Sequence, residues 1–287
     1  MTVLDSFDLD DDGKIDLSGV YGQADPRSYY QTLVTLEYRI PESASSLFGR
    51  ILGALRATRE QNSATILDVG CSYGVNSALL KHGYGLSELF NLYNRQATAG
   101  LSHQQLIDRD RGLFQSDNEP DIQTVGLDTS DEAIAYACEA NILDAGIVAD
   151  FESRDPTAAE AALVAPTDLV ISTGAIGYVG APTFTRILDS ATRAPWMALF
   201  ALRMFPIDEI ADMLKARGYA VYHLKGQTFR QRRFAGRDER EEVLAKLASL
   251  GIDPTGHEAN GWYHAEFFLA LPPGETDDPP IINPVRL

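Results

Sequence analysis

Residues 64–76 read Ala64-Thr65-Ile66-Leu67-Asp68-Val69-Gly70-Cys71-Ser72-Tyr73-Gly74-Val75-Asn76. Ile66, Leu67 and Val69 form a short apolar run that stops at Gly70, the pattern of a strand buried on both faces. Gly70 and Gly74 allow a tight turn and a close approach of backbone to a ligand. The apolar residues from Val75 then open a helix, whose free N–H groups suit a carboxylate or similar acceptor. Strand, glycine turn and helix together make the crevice in which open α/β sheets hold ligands. A dinucleotide fingerprint needs G-x-G-x-x-G, and a phosphate-cradling loop needs Gly-Lys-Ser/Thr. Neither string occurs in the chain.

The pattern repeats downstream. Ile122-Gln123-Thr124-Val125-Gly126-Leu127 predicts a second strand ending at Asp128, with Thr129 or Ser130 capping the helix that follows. Gly146–Phe151 predicts a third strand that ends in Asp150 and Phe151, and 157–164 an alanine-rich helix. Thr167–Ser172 predicts a fourth strand, followed by the loop Thr173-Gly174-Ala175-Ile176-Gly177-Tyr178. Then come a helix from Thr183, a fifth strand at 196–202, a helix at 207–217, a sixth strand at 219–225 and a seventh near 263–271. Gly218 marks the stop of the helix before the sixth strand. Ahead of the first strand, residues 21–62 carry apolar residues at helical spacing, split by Pro41.

Asp68, Gly70 and Gly74 resemble the first motif of the class I S-adenosylmethionine-dependent methyltransferases, acid-x-Gly-x-Gly-x-Gly, with Ser72 in place of the middle glycine. The resemblance covers residues 64–225 by motif and 226–271 by order of elements. It implies an α/β fold, a Rossmann-like seven-stranded sheet of order 3-2-1-4-5-7-6 with the last strand antiparallel, flanked by helices. It implies S-adenosylmethionine as cofactor, held by Asp68, Gly70, Cys71, Ser72, Gly74, Asp128, Thr129, Asp150, Phe151 and Ser172. Asp128 falls on the family's ribose-binding acid, and Asp150 with Phe151 suits an adenine. The loop after the fourth strand lies where the family places methyl-acceptor contacts. Helices ahead of the first strand close over the cofactor in this family, which directs attention to Tyr29, Tyr30 and Glu37. With Tyr178 and Arg203 these make the expected substrate-facing set. Tyr178 and His264 are the candidate catalytic bases.

Two stretches depart from a minimal sheet of this kind. About forty residues separate the helix after the first strand from the second strand, more than a βα crossover needs. The excess, 82–118, is either a lid or substrate-recognition element or a decorative helical pair. A second insertion, 226–261, precedes the last strand and holds Arg230, Arg232, Arg233 and Arg237 before an acidic helix at 238–250. Those arginines either clamp an acidic group or pair with the neighbouring Asp238, Glu239, Glu241 and Glu242. The expected organisation is an acidic tail over 1–20, one domain over 21–271 and a Pro-rich tail over 272–287.

Composition narrows the partners. A net charge of -17 over 287 residues argues against nucleic acid and anionic membrane surfaces, and for a small-molecule substrate. Two cysteines make no disulfide framework, and no run of about 18 apolar residues spans a membrane. No signal peptide is read, so a cytoplasmic location is expected. Asp8–Asp16 matches the start of a calcium loop, but the closing position is Gly19 rather than glutamate, and the stretch reads as a solvated acidic tail. The five histidines form no metal-ligand spacing, and no metal is expected. The expected activity is methyl transfer to a small molecule, as in specialised metabolism. The competing readings are a lyase, cyclase or nucleoside-binding protein on the same scaffold, or a protein methyltransferase.

Overall fold

The computed structural model describes residues 18–115, 122–275 and 278–287. The Asp8–Asp16 stretch, most of the expected acidic tail and the end of the first insertion lie outside them. Nine strands are present among the described residues: β1 (Ala64–Val69), β2 (Ile122–Asp128), β3 (Ala145–Val148), β4 (Leu169–Ser172), β5 (Trp196–Leu202), β6 (Ala220–Leu224), β7 (Phe229–Arg233), β8 (Trp262–Leu271) and β9 (Pro284–Arg286). The helices are α1 (Ser18–Tyr21), α2 (Arg27–Thr35), α3 (Ile40–Arg59), α4 (Val75–Leu80), α5 (Leu86–Leu92), α6 (His103–Leu113), α7 (Asp131–Glu139), α8 (Ala158–Val164), α9 (Ala181–Ser190), α10 (Asp208–Ala216) and α11 (Arg237–Ser249).

One mixed sheet carries them, in the order β3-β2-β1-β4-β5-β8-β6-β9. The first five strands are parallel, and β8 lies antiparallel between β5 and β6. With β8 counted as the seventh expected strand, this is the order 3-2-1-4-5-7-6 that the resemblance implies. The parallel strands read as continuous apolar runs because helices cover both faces; every residue of β1 and β5 is buried. Strand order reverses at β1, whose neighbours are β2 and β4, so a crevice opens at the carboxyl ends there. The third strand stops at Val148, which leaves Asp150 and Phe151 in the following loop.

Three regions extend the minimal sheet. The tail beyond 271 is built into the sheet: β9 pairs with β6, and Glu275 accepts from Arg59 and from Trp196 Nε1 at 2.6 Å. The Arg59 side chain is fully buried and also pairs with Asp168 at 2.8 Å, so removing Glu275 would strand part of a buried charge. The second insertion supplies a further strand, β7, beside β6 on the same edge of β8.

The described part of the first insertion folds as α5 and α6 and shares a second hydrophobic core with α2, α4 and α7. Tyr30 stacks on Tyr93 with ring centroids 4.4 Å apart, and the buried Asp110 accepts hydrogen bonds from Tyr93 and Tyr136. A fully buried carboxylate with two phenol donors and the neighbouring Arg109 fixes this layer in one arrangement. The layer buttresses α2 from behind.

Candidate active site

A cavity of about 540 Å³ occupies the crevice at the carboxyl ends of β1 to β4. Four successive strand ends contribute to its wall: Val69, Gly70 and Ser72 after β1; Leu127 to Asp131 at the end of β2; Ala149 to Phe151 after β3; and Thr173 to Ala175 with Tyr178 after β4. The rest of the lining comes from Tyr29 and Leu33 of α2, from Gly22 and Tyr38 in the turns beside the N-terminal helices, and from Gln231 and Arg232 of β7. No described residue of the 82–118 insertion lines the cavity. Tyr29 and Leu33 of α2 and Tyr38 in the turn after it line the cavity instead, and α5 and α6 pack with α2 in the second core.

The glycine turn is shaped by protein contacts as much as by any ligand. Gly70 has φ +74°, and a Cβ there would sit 2.5 Å from the Cβ of Ala175 in the loop after β4. A Cβ on Gly74, at φ +76°, would sit 2.7 Å from Ile142 Cγ2. Both glycines thus serve close packing of the two loops and of α7, in addition to the tight turn read in the sequence. Ser72 takes φ +48°, the left-handed conformation that glycine adopts most readily. Its hydroxyl is buried at the cavity wall and has no hydrogen-bond partner among the described residues.

Asp128 ties the turn to β2. One carboxylate oxygen accepts from the Ser72 N–H at 2.8 Å and the other from the Ser130 N–H at 3.0 Å. Ser130, rather than Thr129, caps α7, accepting from Ala133 N–H at 3.3 Å. Each oxygen of Asp128 keeps a second lone pair for a ligand. Asp150 faces the cavity from the loop after β3, and hydrogen bonds from Ser153 and from the Glu152 amide hold its carboxyl below the ordinary value.

Other expected residues sit beneath or beside the wall. Asp68 is buried, and both its oxygens accept from Asn76 Nδ2, at 3.0 and 3.2 Å. Burial pushes its carboxyl up to about 7; the Asn76 amide opposes this, and the charge on Asp128 adds to it. Asn76 also donates to the Thr173 hydroxyl at 3.2 Å, which links Asp68 to the cavity wall. The Cys71 thiol is buried under the turn, and burial raises its pKa. The Ser172 hydroxyl donates to Val69 O at 3.0 Å and locks β4 to β1.

Tyr29, Thr129, Phe151 and Tyr178 line the cavity, Tyr178 with half of its surface exposed. Tyr30 belongs to the second core, and Glu37 pairs with Arg233 and Arg39 at the surface. Arg203 pairs with Glu258 at 2.6 Å, away from the cavity wall. His264 lies on the face of β8 opposite Tyr263, because alternate side chains of a strand point to opposite faces. There its Nδ1 meets the Thr228 hydroxyl at 2.9 Å and its ring meets His257.

Sequence reasoning missed Asn76, Glu152 and Gln231. Glu152 accepts from the Gly180 N–H at 2.9 Å and the Thr183 hydroxyl at 2.7 Å, which fixes the loop after β4 to the loop after β3. Little local marks them: Asn76 lies in the glycine-turn stretch itself but also reaches Thr173, and the partners of Glu152 are about thirty residues away. Of the arginine cluster, Arg237 pairs with Glu241 at the surface, whereas Arg232 and Glu239 form a buried pair. Among the described residues no group of three or more metal-ligating side chains occurs, and no helix is long and apolar enough to cross a membrane.

No protein-family model matches the chain, and no curated protein matches it by sequence. Solved structures do match. Magnesium protoporphyrin IX methyltransferase from Synechocystis PCC 6803, solved with bound SAM, is 12% identical, with 85% of this chain and 84% of that chain covered and a TM-score of 0.40. The plantazolicin methyltransferase BpumL, in complex with SAH, is 14% identical, with 89% and 96% covered and a TM-score of 0.39. The 4+2 cyclase SpnF is 13% identical, with 79% and 81% covered and a TM-score of 0.38. By its own strand order, parallel 3-2-1-4-5 with an antiparallel strand inserted before the sixth, the chain has the Rossmann-like fold of the class I S-adenosylmethionine-dependent methyltransferases.

Proposed function

We propose that this protein binds S-adenosylmethionine in the β1–β4 crevice and transfers its methyl group to a small-molecule acceptor, as in specialised metabolism. One observation carries the reading: the acids of two successive strand ends and the unpartnered, buried Ser72 hydroxyl border the same cavity. A buried hydroxyl without a partner costs about 1–3 kcal/mol, which a polar ligand at that wall would relieve. The donor set fits the cofactor: Asp128 offers acceptors for two ribose hydroxyls, Asp150 an acceptor for an exocyclic amine, and Phe151 an apolar contact. Gly70, Ser72 and Thr129 complete this half, with Asp68, Cys71, Gly74 and Ser172 holding its backbone. When bound, S-adenosylmethionine supplies an electrophilic methyl group, so positioning dominates the catalytic demand.

The protein's part is to exclude water and orient the acceptor. Tyr29 and Tyr38 wall the cavity from α2 and the turn after it, and Tyr178 walls it from the loop after β4. We assign to the Tyr178 hydroxyl the task of holding or relaying a proton leaving the acceptor. Two free thiols and no disulfide among the described residues support action in the cytoplasm.

Calorimetry with S-adenosylmethionine and S-adenosylhomocysteine tests the cofactor. No heat at millimolar ligand defeats the proposal. Radiolabelled S-adenosylmethionine incubated with cell extract tests the acceptor. Label in small molecules is the expected result. Label in protein favours a protein methyltransferase, and label nowhere favours a lyase, cyclase or binding protein.

A further inference from the structure

β7 breaks the alternation of a strand at one point. Arg230 pairs with His264 and Arg233 with Trp262, so three steps along β7 match two along β8, and Gln231 and Arg232 together oppose Tyr263. Such a bulge re-aims side chains. Here Arg230 and Arg233 are exposed, while Gln231 and Arg232 are both buried and both line the cavity. A regular strand would have sent one of the pair outward. Arg39 N–H donates to Gln231 O and Arg233 N–H to Leu36 O, each at 2.8 Å, so the bulged strand is stitched to the turn that carries Tyr38.

The charge at this end of the cavity is cancelled within the protein. Arg232 donates to both oxygens of Glu239, at 2.7 and 3.1 Å, and its guanidinium lies over the Tyr263 ring at 4.7 Å. Glu239 is 1% exposed and also accepts from Ala235 N–H at 2.7 Å. The Gln231 side-chain amide stands close to the loop after β4, where a Cβ on Gly174 would come within 3.1 Å of its Nε2. The remaining charges on the wall, Asp128, Asp131 and Asp150, gather at the β2 and β3 end. Tyr29, Leu33, Tyr38 and Tyr178 supply flat and apolar surface to the same cavity.

An amide both donates and accepts, so it matches a carbonyl, an amide or a hydroxyl. A desolvated anion beside it would find its potential counter-charge already engaged by Glu239 and would face the acids across the cavity. A cation beside it would likewise find its potential counter-charge, Glu239, already engaged by Arg232. We infer that the methyl acceptor is a neutral molecule with a flat apolar body and a carbonyl, amide or hydroxyl group hydrogen-bonded to Gln231, with the bulge and the Arg232–Glu239 pair holding that amide in place. The inference rests on the methyl-transfer reading of the cavity.

Four probes with one body test it: 2-naphthamide, 2-naphthol, 2-naphthoate and 2-naphthylmethylammonium, titrated by calorimetry into the full chain with and without saturating S-adenosylhomocysteine. The neutral probes are expected to bind at least about tenfold more tightly than the ions. Gln231→Leu lowers the affinity of the neutral probes by about tenfold, and Gln231→Glu turns the preference toward the ammonium probe, while S-adenosylhomocysteine binding changes by less than about twofold. Naphthoate binding as well as naphthamide, no probe binding at all, or neutral-probe affinity unchanged by Gln231→Leu overturns the inference. The comparison of probes on the unaltered chain stands even if a variant fails to fold. Absent S-adenosylhomocysteine binding with the probe order retained removes the methyl-transfer reading and leaves the selectivity of the pocket intact.

Discussion

Replacing Asp128 tests whether one carboxylate holds both the glycine turn and the cofactor half of the cavity. Its oxygens accept from the Ser72 and Ser130 N–H groups, at 2.8 and 3.0 Å. A hydrogen bond to an ionised acceptor is worth about 1.5–3 kcal/mol. Asp128 is only partly buried, so water replaces some of that, and the lower half of the range applies. Asp128→Asn keeps one acceptor and turns an NH₂ group toward the other amide, which predicts a loss of about 1.5–2 kcal/mol. Asp128→Ala loses both bonds, about 3 kcal/mol. The two variants should also bind S-adenosylhomocysteine at least about tenfold more weakly. Urea unfolding at fixed pH gives the first quantity and calorimetry the second. Asp131→Asn is the control: it lines the same cavity, but among the described residues its carboxylate bonds only the adjacent Glu132 amide, and its stability should change by less than about 0.5 kcal/mol. An Asp128→Asn protein as stable and as tightly binding as the parent would refute the reasoning.

Two further outcomes follow from the geometry. Gly70→Ala combines a left-handed φ, which costs an L-residue about 1–2 kcal/mol, with a Cβ 2.5 Å from Ala175; a loss of about 2–4 kcal/mol is expected in urea unfolding, and Ala175→Gly in the same chain should restore the contact part alone. If the double variant regains nothing, the two loops are not in the contact described. Burial, followed by the charges of His257, Arg230 and Arg203, lowers His264 from its ordinary 6.5 to about 4. The unfolded chain therefore binds a proton that the folded chain refuses, and this contribution to stability is full above pH 6.5 and is lost as pH falls toward 4. Thermal melts of His264→Gln should fall less steeply than the parent across that window, and parallel curves would show that the ring is not held neutral.

Much of the fold is legible in the sequence because its signals are local. The apolar runs at 66–69 and 196–202 are strands buried on both faces, and 122–127 is a strand whose first two residues are less buried. Asp128 ends its strand as read, and Ser130, one of the two caps read for the next helix, caps it. The boundaries that slipped are those set by partners: β3 ends at Val148 because β2 ends opposite it at Asp128. The Pro-rich tail carries no periodic signal, and its strand exists because β6 presents an unpaired edge.

The site divides along the same line. Sequence alone marks the glycine turn and the strand-end acids, because a turn needs particular residue types at fixed spacing. Tertiary structure alone decides which of those groups reach the cavity. Asp68 is turned under the wall by Asn76, His264 is turned away by the alternation of β8, and Gln231 and Arg232 are turned in by a bulge that exists only through pairing with β8. The physical reason is that direction along one element follows from its own period, whereas the direction of a side chain at a bulge or a loop crossing follows from contacts with residues far away in the chain.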